Sequence, residues 1–202
     1  MNKQTEDIKA IREMMEKSSK FQSLSGLSIV FAGLIACLGA AFAYFYLLRD
    51  PSLTNYNSFQ EILILLADAI LVFVFAVGII SFLCYKKAKK NHQKLFNSVT
   101  KRAAYSLLIP LATGAIFSLL FLFRGEIEIV AASTLIFYGL ALINASKYTC
   151  PEIHYLGIAE IIVGLFAALI LYHGIYWWTI GFGVLHVIFG LLIYVKYDKV
   201  KK

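Results

Sequence analysis

The segments Gly157-Ile-Ala-Glu160-Ile-Ile-Val-Gly164 and Gly183-Val-Leu-His186-Val-Ile-Phe-Gly190 share the spacing of their glycines and an ionisable residue at the same register. Each segment lies in a long apolar run, and a short turn around Gly174 joins the two runs. Seven residues of an α-helix return the chain to nearly the same face, about 10.5 Å further along the axis. The two runs are therefore predicted to be helices that fold back on each other, each with one face of small residues.

The composition of the chain indicates that its solvent is a lipid bilayer. Of the 202 residues, 60% are hydrophobic and 15% are charged, whereas soluble domains average about 45–50% apolar and about 25% charged residues. A helix needs roughly 20 apolar residues to cross the hydrocarbon core. Six such runs are present, at 24–48, 59–85, 103–123, 127–145, 153–172 and in a last run that ends at Val195. The predicted fold is all-α, a polytopic membrane protein with six transmembrane helices.

The distribution of cations predicts the orientation of these helices. Seventeen of the nineteen Lys and Arg residues fall on one side of the predicted spans, and only Arg49 and Arg124 fall on the other. The positive-inside rule then places both termini in the cytoplasm. Anionic lipid head groups are the expected partners of the basic loop after the second span. Nucleic acid is not an expected partner, because this loop lacks the interleaved aromatic residues that stack on bases.

Three regions follow from this topology: an amphipathic cytoplasmic or interfacial helix at 1–22, a transmembrane domain at 23–196 and a basic cytoplasmic tail at 197–202. In the first region Ile8, Ile11 and Met15 recur at helical spacing, which gives the helix one apolar face. This helix is expected either to lie on the inner leaflet or to dock onto a cytoplasmic protein partner or a second subunit.

Three Asp, Glu or His residues lie well inside predicted spans, away from the span ends: Asp68, Glu160 and His186. A charged residue at the centre of a span costs about 2.5 kcal/mol or more, so such residues are seldom placed there without a partner. At about 1.5 Å per helical residue, the three lie at similar depths, nearer the cytoplasmic side of the midplane. They are predicted to form one buried polar cluster, which is either a hydrogen-bonded structural pair or a site that responds to protons or a small ligand. No metal is expected, because no His-Glu-x-x-His, His-x-x-x-His or Cys-x-x-Cys motif is present.

Small residues recur in other spans and predict close packing of helices. The first span contains Gly-x6-Gly, and the fourth contains the related Ala-x6-Gly. Small residues on one face let helix backbones approach closely in lipid. Pro110, within the third span, is a candidate hinge, because proline removes a helical hydrogen bond. The glycines expected to pack helices are Gly26, Gly33, Gly139, Gly157, Gly164, Gly183 and Gly190.

Over its whole length the chain resembles the small six-span inner-membrane proteins of bacteria. The last two spans, with Gly-x6-Gly-Leu in both, are also similar to the repeated helix pairs of the acid-resistance membrane protein family. They depart from that family by having Glu160 and His186 in the apolar arms and His173-Gly174 in the turn. The resemblance implies a multi-pass protein of a bacterial inner membrane, and no activity or site residue is carried over from it.

Three classes of function are compatible with these features. The first is a non-enzymatic sensing or regulatory membrane component, in which the buried cluster responds to protons or a ligand. The second is a small, oligomeric transporter or channel coupled to protons or cations, which would use the internal repeats and Pro110. The third is an intramembrane enzyme acting on lipid, although the serines in the spans lack a companion catalytic motif. The ligand, the substrate and any cofactor stay open at this stage.

Overall fold

The computed structural model describes residues 24–45, 59–91, 97–171 and 173–199, and every regular element in these ranges is a helix. Six helices are long and apolar enough to cross a membrane. In chain order they are α1 (Gly26–Ala43), α2 (Phe59–Lys90), α3 (Ser98–Phe123), α4 (Ile127–Ser146), α5 (Pro151–Leu169) and α6 (Gly174–Lys199). The prediction of an all-α protein with six apolar helices is confirmed. The predicted amphipathic helix at 1–22 and residues 200–202 of the basic tail lie outside the described residues.

Local sequence explains where several helices begin and end. The side chain of Asn97 accepts a hydrogen bond of 2.8 Å from the backbone N–H of Thr100, which caps α3. Pro151 is the first residue of α5, a position at which its missing N–H costs nothing. Gly125 has a φ of 83° in the turn between α3 and α4, a conformation that favours glycine. Pro110 lies inside α3, and the helix continues on both sides of it.

The helix α6 occupies the middle of the arrangement. On one side it packs against α1, and α2 packs in turn against the far side of α1. On the other side it meets α4 and α5, while α3 packs mainly against α4. The outer helices α2 and α3 consequently keep broad apolar surfaces, which suit contact with lipid chains.

The helices α4 and α5 approach each other most closely at Gly139 and Gly157. A Cβ atom added to Gly139 would lie 2.6 Å from the carbonyl oxygen of Gly157, and one added to Gly157 would lie 2.8 Å from that of Gly139. Two turns further along α5, a Cβ on Gly164 would lie 2.7 Å from Cγ1 of Ile136. Side chains at these positions would therefore force the backbones apart.

A second close approach joins α1 to α6. A Cβ on Gly33 would lie 2.7 Å from the carbonyl oxygen of Gly183, and a Cβ on Gly190 would lie 2.7 Å from the backbone nitrogen of Val30. A Cβ on Gly26 would lie 2.6 Å from the carbonyl oxygen of Gly190. The glycines of segments 157–164 and 183–190 thus face different neighbours. Those of α5 meet α4, and those of α6 meet α1.

Candidate functional site between α4, α5 and α6

His186 is a buried polar residue that contacts α4 and α5 from the middle of α6. It is 5% exposed, and both of its ring nitrogens have partners. Its Nε2 lies 2.8 Å from the hydroxyl of Tyr138 on α4, and its Nδ1 lies 3.1 Å from the carbonyl oxygen of Gly181 on α6. When Nδ1 carries the proton, it donates to the Gly181 carbonyl, and the Tyr138 hydroxyl donates to Nε2.

Glu160 reaches the same position from α5. Its Oε1 lies 3.3 Å from Nδ1 of His186, so the two residues form an ion pair when the imidazole is protonated and the carboxyl group is ionised. The side chain is fully buried, yet neither of its oxygens accepts a hydrogen bond from a described residue. Most buried polar atoms in proteins have a hydrogen-bond partner, so a buried carboxyl group without one calls for an explanation. Of the three residues predicted to cluster, the structure thus brings Glu160 and His186 together.

Backbone geometry lets the carboxyl group come so close to α6. Residues Thr179–Leu185 of α6 are wound as a π-helix, a conformation that occurs frequently at functional sites. Gly181 lies within this segment, and a Cβ on it would lie 2.5 Å from Oε2 of Glu160. Glycine at this position therefore makes room for the carboxyl group, and the same residue supplies the carbonyl that meets His186.

Tyr138 was not among the residues singled out from the sequence. Its ring stacks on that of His186 with centroids 5.4 Å apart, and it also packs against Phe182. A signal was present, because Tyr138 falls well inside a predicted span, whereas most other tyrosines fall near the ends of spans. Tyrosine is otherwise typical of membrane interfaces, where its hydroxyl can reach water.

Asp68 occupies a different place from Glu160 and His186. Its carboxylate lies against Gly39 of α1, since a Cβ on Gly39 would lie 3.5 Å from Oδ2 of Asp68. Gly39 is six residues, or roughly 9 Å along the helix axis, beyond Gly33, whose added Cβ would lie 2.9 Å from Cβ of His186. Among the described residues no hydrogen bond or ion pair joins Asp68 to either partner. Of the cluster predicted from depth, only Glu160 and His186 are in contact. Tyr138 joins them in place of Asp68.

A second unpartnered polar group lies one turn before Gly181 on α6. The indole nitrogen of Trp177 is buried without a hydrogen-bond partner among the described residues. The indole stacks on Phe166 of α5 and packs against the buried cluster formed by Ala132, Leu135 and Ala167. Trp177 and Trp178 are the only tryptophans of the chain, so its intrinsic fluorescence reports on the surroundings of this site.

No group of three metal-ligating side chains occurs in the part of the chain that the structure describes. Glu160 and His186 alone provide two ligands, and the remaining neighbours are a phenol and a backbone carbonyl. The chemistry that this arrangement supports is the uptake, release and transfer of a proton, because a carboxyl group, an imidazole and a phenol are in contact in apolar surroundings.

A separate ionic cluster ties the predicted cytoplasmic ends of three helices together. Asp198, near the end of α6, accepts a hydrogen bond of 2.9 Å from the backbone N–H of Gly26, the first residue of α1. It also pairs with Lys87 of α2 at 2.5 Å, and the Lys87 ammonium donates to the carbonyl of Leu24. We call Asp198, Lys87, Gly26 and Leu24 the α1–α2–α6 clasp. Nothing in the spacing of Lys87 and Asp198 along the sequence predicts the contact.

A further ion pair links the same end of α6 to α5. Lys196 donates to Oε1 of Glu152 at 2.6 Å, and the hydroxyl of Tyr197 donates to Oε2 of Glu152 at 3.1 Å. The adjacent Cys150 precedes α5, and burial, with a further contribution from Glu152, raises the pKa of its thiol to about 11. At neutral pH this thiol therefore stays protonated and is a poor nucleophile.

Comparisons of the chain with protein-family models, with curated proteins and with solved structures gave no match.

Proposed function

We propose that this chain is a non-enzymatic sensing or regulatory membrane component that responds to protons at the site formed by Glu160, His186 and Tyr138. The observation that supports the proposal is the state of Glu160. It is fully buried, it lies 3.3 Å from an imidazole nitrogen, and neither of its oxygens accepts a hydrogen bond from a described residue.

The arrangement differs from what a purely structural ion pair requires. A buried pair stabilises a protein only when its geometry is good and further hydrogen bonds satisfy the remaining lone pairs. His186 meets this condition through Tyr138 and Gly181, whereas Glu160 does not. A group that is poorly satisfied in one conformation favours a second conformation in which it is better solvated or paired. This asymmetry supports a responsive role for the pair.

Charge balance explains how such a site couples proton binding to conformation. The pair is neutral when it holds one proton, either on Glu160 or on His186. Adding or removing a proton leaves a net charge in apolar surroundings, which costs several kcal/mol unless water or a counter-charge reaches it. A change in the number of bound protons therefore favours opening of the interface between α4, α5 and α6.

The cellular setting belongs to the same proposal. The asymmetry of cations supports cytoplasmic termini, and the resemblance noted above supports a bacterial inner membrane. The exposed cations at the ends of α2 and α3 suit anionic lipid head groups, and the N-terminal segment is the expected contact with a cytoplasmic protein or a second copy of the chain.

The test combines two measurements on the full chain in lipid nanodiscs. Infrared difference spectroscopy between acidic and alkaline pH should reveal the C=O band of a carboxyl group that changes its protonation, and tryptophan fluorescence should titrate over the same range. Glu160→Gln should abolish both signals. Asp68→Asn is the matched control, because it removes the other carboxyl group that lies well inside a predicted span and should leave both signals in place. Signals that survive Glu160→Gln, or that disappear in Asp68→Asn alone, would contradict the proposal.

A second candidate is proton-coupled transport. The observation in its favour is that α2 and α3 each pack mainly against one neighbour, so either helix can move without dismantling the contacts of α4, α5 and α6. Flux of protons or cations into proteoliposomes under an imposed gradient would support this candidate. Absence of flux together with a pH-dependent fluorescence change would favour the regulatory role.

A further inference from the structure

We infer that α6 couples the proton site to the α1–α2–α6 clasp, so that protonation within the membrane controls how firmly α1 and α2 are held at the predicted cytoplasmic face. This inference rests on the proposed function and assigns its output. The supporting observations are the contacts of two regions of α6, the middle of the helix around Gly181 and His186 and its C-terminal end around Asp198, and the two π-helical segments in these regions.

The first region, in the middle of α6, is the proton site. His186 follows directly after the π-helical segment Thr179–Leu185, and Gly181 within that segment borders both Glu160 and His186. The titratable groups nearest the pair on the neighbouring helices are Tyr138 of α4, which contacts His186, and Cys37 of α1, whose sulfur borders Gly183. Neither carries a charge at neutral pH, so a change of net charge in this region comes from Glu160 and His186.

The second region, at the C-terminal end of α6, is the clasp. Asp198 lies in the other π-helical segment, Tyr194–Lys199, and its carboxylate caps α1 from 172 residues away while it pairs with Lys87. The side chains of Lys87 and Asp198 are 17% and 12% exposed, so their contact is shielded from most of the solvent. The helix α1 has no side-chain cap of its own, because Ser25 at its N-cap forms no capping hydrogen bond. The start of α1 therefore depends on the position of α6.

Other titratable groups near Asp198 are accounted for by their own contacts. Cys84 of α2 lies 3.9 Å from the hydroxyl of Ser28 and is buried. Lys196 and Tyr197 are engaged with Glu152 of α5. Lys199, in the same segment as Asp198, is exposed.

Between the two π-helical segments, residues His186–Ile193 form a regular α-helix that packs against α1 through Gly190. A π-helical turn contains one residue more than an α-helical turn, so converting it to α-helix changes the register by one residue. This corresponds to about 100° of rotation and about 1.5 Å of translation. A rearrangement at Gly181 would therefore move the segment that carries Asp198 relative to Gly26 and Lys87. The two π-helical segments supply the two-state element that such coupling requires.

The experiment follows the proton site and the clasp in one sample. The full chain is placed in lipid nanodiscs, tryptophan fluorescence reports the proton site, and hydrogen–deuterium exchange of the peptide containing Gly26 reports the clasp after correction for the intrinsic pH dependence of exchange. Wild type, Glu160→Gln and Asp198→Asn are compared, with Tyr138→Phe as a second site variant in case Glu160→Gln folds poorly.

In wild type we expect the fluorescence and the protection of Gly26 to change with the same midpoint. Glu160→Gln should remove the pH dependence of both. Asp198→Asn should lower the protection of Gly26 about fivefold or more and shift the fluorescence midpoint, because coupling between two sites is reciprocal. For Tyr138→Phe, the two midpoints should move together.

Two different failures are distinguishable. If the fluorescence titration depends on Glu160 but protection of Gly26 does not follow it, or if Asp198→Asn leaves the fluorescence midpoint unchanged, the coupling is overturned and the proton site stands. If fluorescence does not titrate in wild type, or titrates equally in Glu160→Gln, the proposed function falls and the coupling falls with it.

Discussion

Gly139 of α4 and Gly157 of α5 are packed backbone against backbone, with each residue's missing Cβ position within 2.8 Å of the other's carbonyl oxygen. The contact lies one residue from Tyr138 and one helical turn from Glu160, so it positions two of the three residues of the proton site. The site exists in its present geometry because neither helix carries a side chain at this crossing.

Replacing either glycine should therefore destabilise the protein. Gly139→Ala or Gly157→Ala forces the helices apart, and we expect a loss of about 1–3 kcal/mol, as for overpacking elsewhere. Unfolding in mixed micelles with increasing SDS measures the effect. Gly78→Ala on α2 is the matched control, because a Cβ there meets nothing within 4 Å and should leave stability unchanged. Equal losses at Gly78 and Gly157 would contradict the packing argument.

Removing the hydroxyl of Tyr138 should destabilise the protein even when its ring is kept. Tyr138→Phe keeps the stacking on His186 but leaves Nε2 without its partner at 2.8 Å. Leaving one buried polar atom unsatisfied costs about 1–3 kcal/mol, and we expect a loss of that size in thermal or SDS unfolding. Tyr105→Phe, at a residue that is 69% exposed, should have no comparable effect.

Replacing both Glu160 and His186 with an apolar residue should destabilise the protein less than replacing only one of them. Glu160→Leu or His186→Leu leaves one polar partner buried alone, and breaking a buried pair in this way costs roughly 3–5 kcal/mol. The double variant removes both polar groups and should be more stable than either single variant. Its stability should also be less dependent on pH than that of wild type. Additive losses in the double variant would show that the two side chains do not interact.

The thiol of Cys150 should react slowly at neutral pH. Burial, reinforced by Glu152, raises its pKa to about 11. In a background where Cys37 and Cys84 are replaced by serine, alkylation by iodoacetamide should rise about tenfold per pH unit up to the raised pKa, since the thiolate is the nucleophile. Glu152→Gln should lower the pKa and speed the reaction at a fixed pH. A rate that levels off near pH 9 in the parent background would contradict this prediction.

The two ion pairs at the C-terminal end of α6 should differ in their contribution to stability. Lys87 and Asp198 are largely buried, and the Lys87 ammonium also donates to Leu24. Because hydrogen bonds to charged groups contribute about 1.5–3 kcal/mol, Lys87→Met should lower the free energy of unfolding by about that amount. Lys196 is 60% exposed, and its pair with Glu152 is screened by solvent, so Lys196→Met should change stability little. The reverse order would indicate that the clasp does not hold in the membrane.

Part of the candidate site could be predicted from the sequence. Apolar surroundings make an isolated charge costly, and on this ground Asp68, Glu160 and His186 are expected to share one polar cluster. Depth along a helix is proportional to residue number, which placed them at compatible levels. Depth does not give the direction in which a side chain points, and for that reason Asp68 was included although it lies against Gly39 of α1.

The sequence by itself determined that the chain forms six long apolar helices, because hydrophobic length and the positions of turn residues are local properties. It also identified the small residues on which those helices pack. Only the tertiary structure decided which helices meet: α5 against α4 and α6 against α1, with Tyr138 and Gly181 completing the site. The physical reason is that glycine contacts in lipid depend on matching shapes between surfaces far apart in sequence, and such matching is not encoded in any one helix. Segments 157–164 and 183–190 are thus joined through Glu160 and His186, while their glycines belong to two separate helix interfaces.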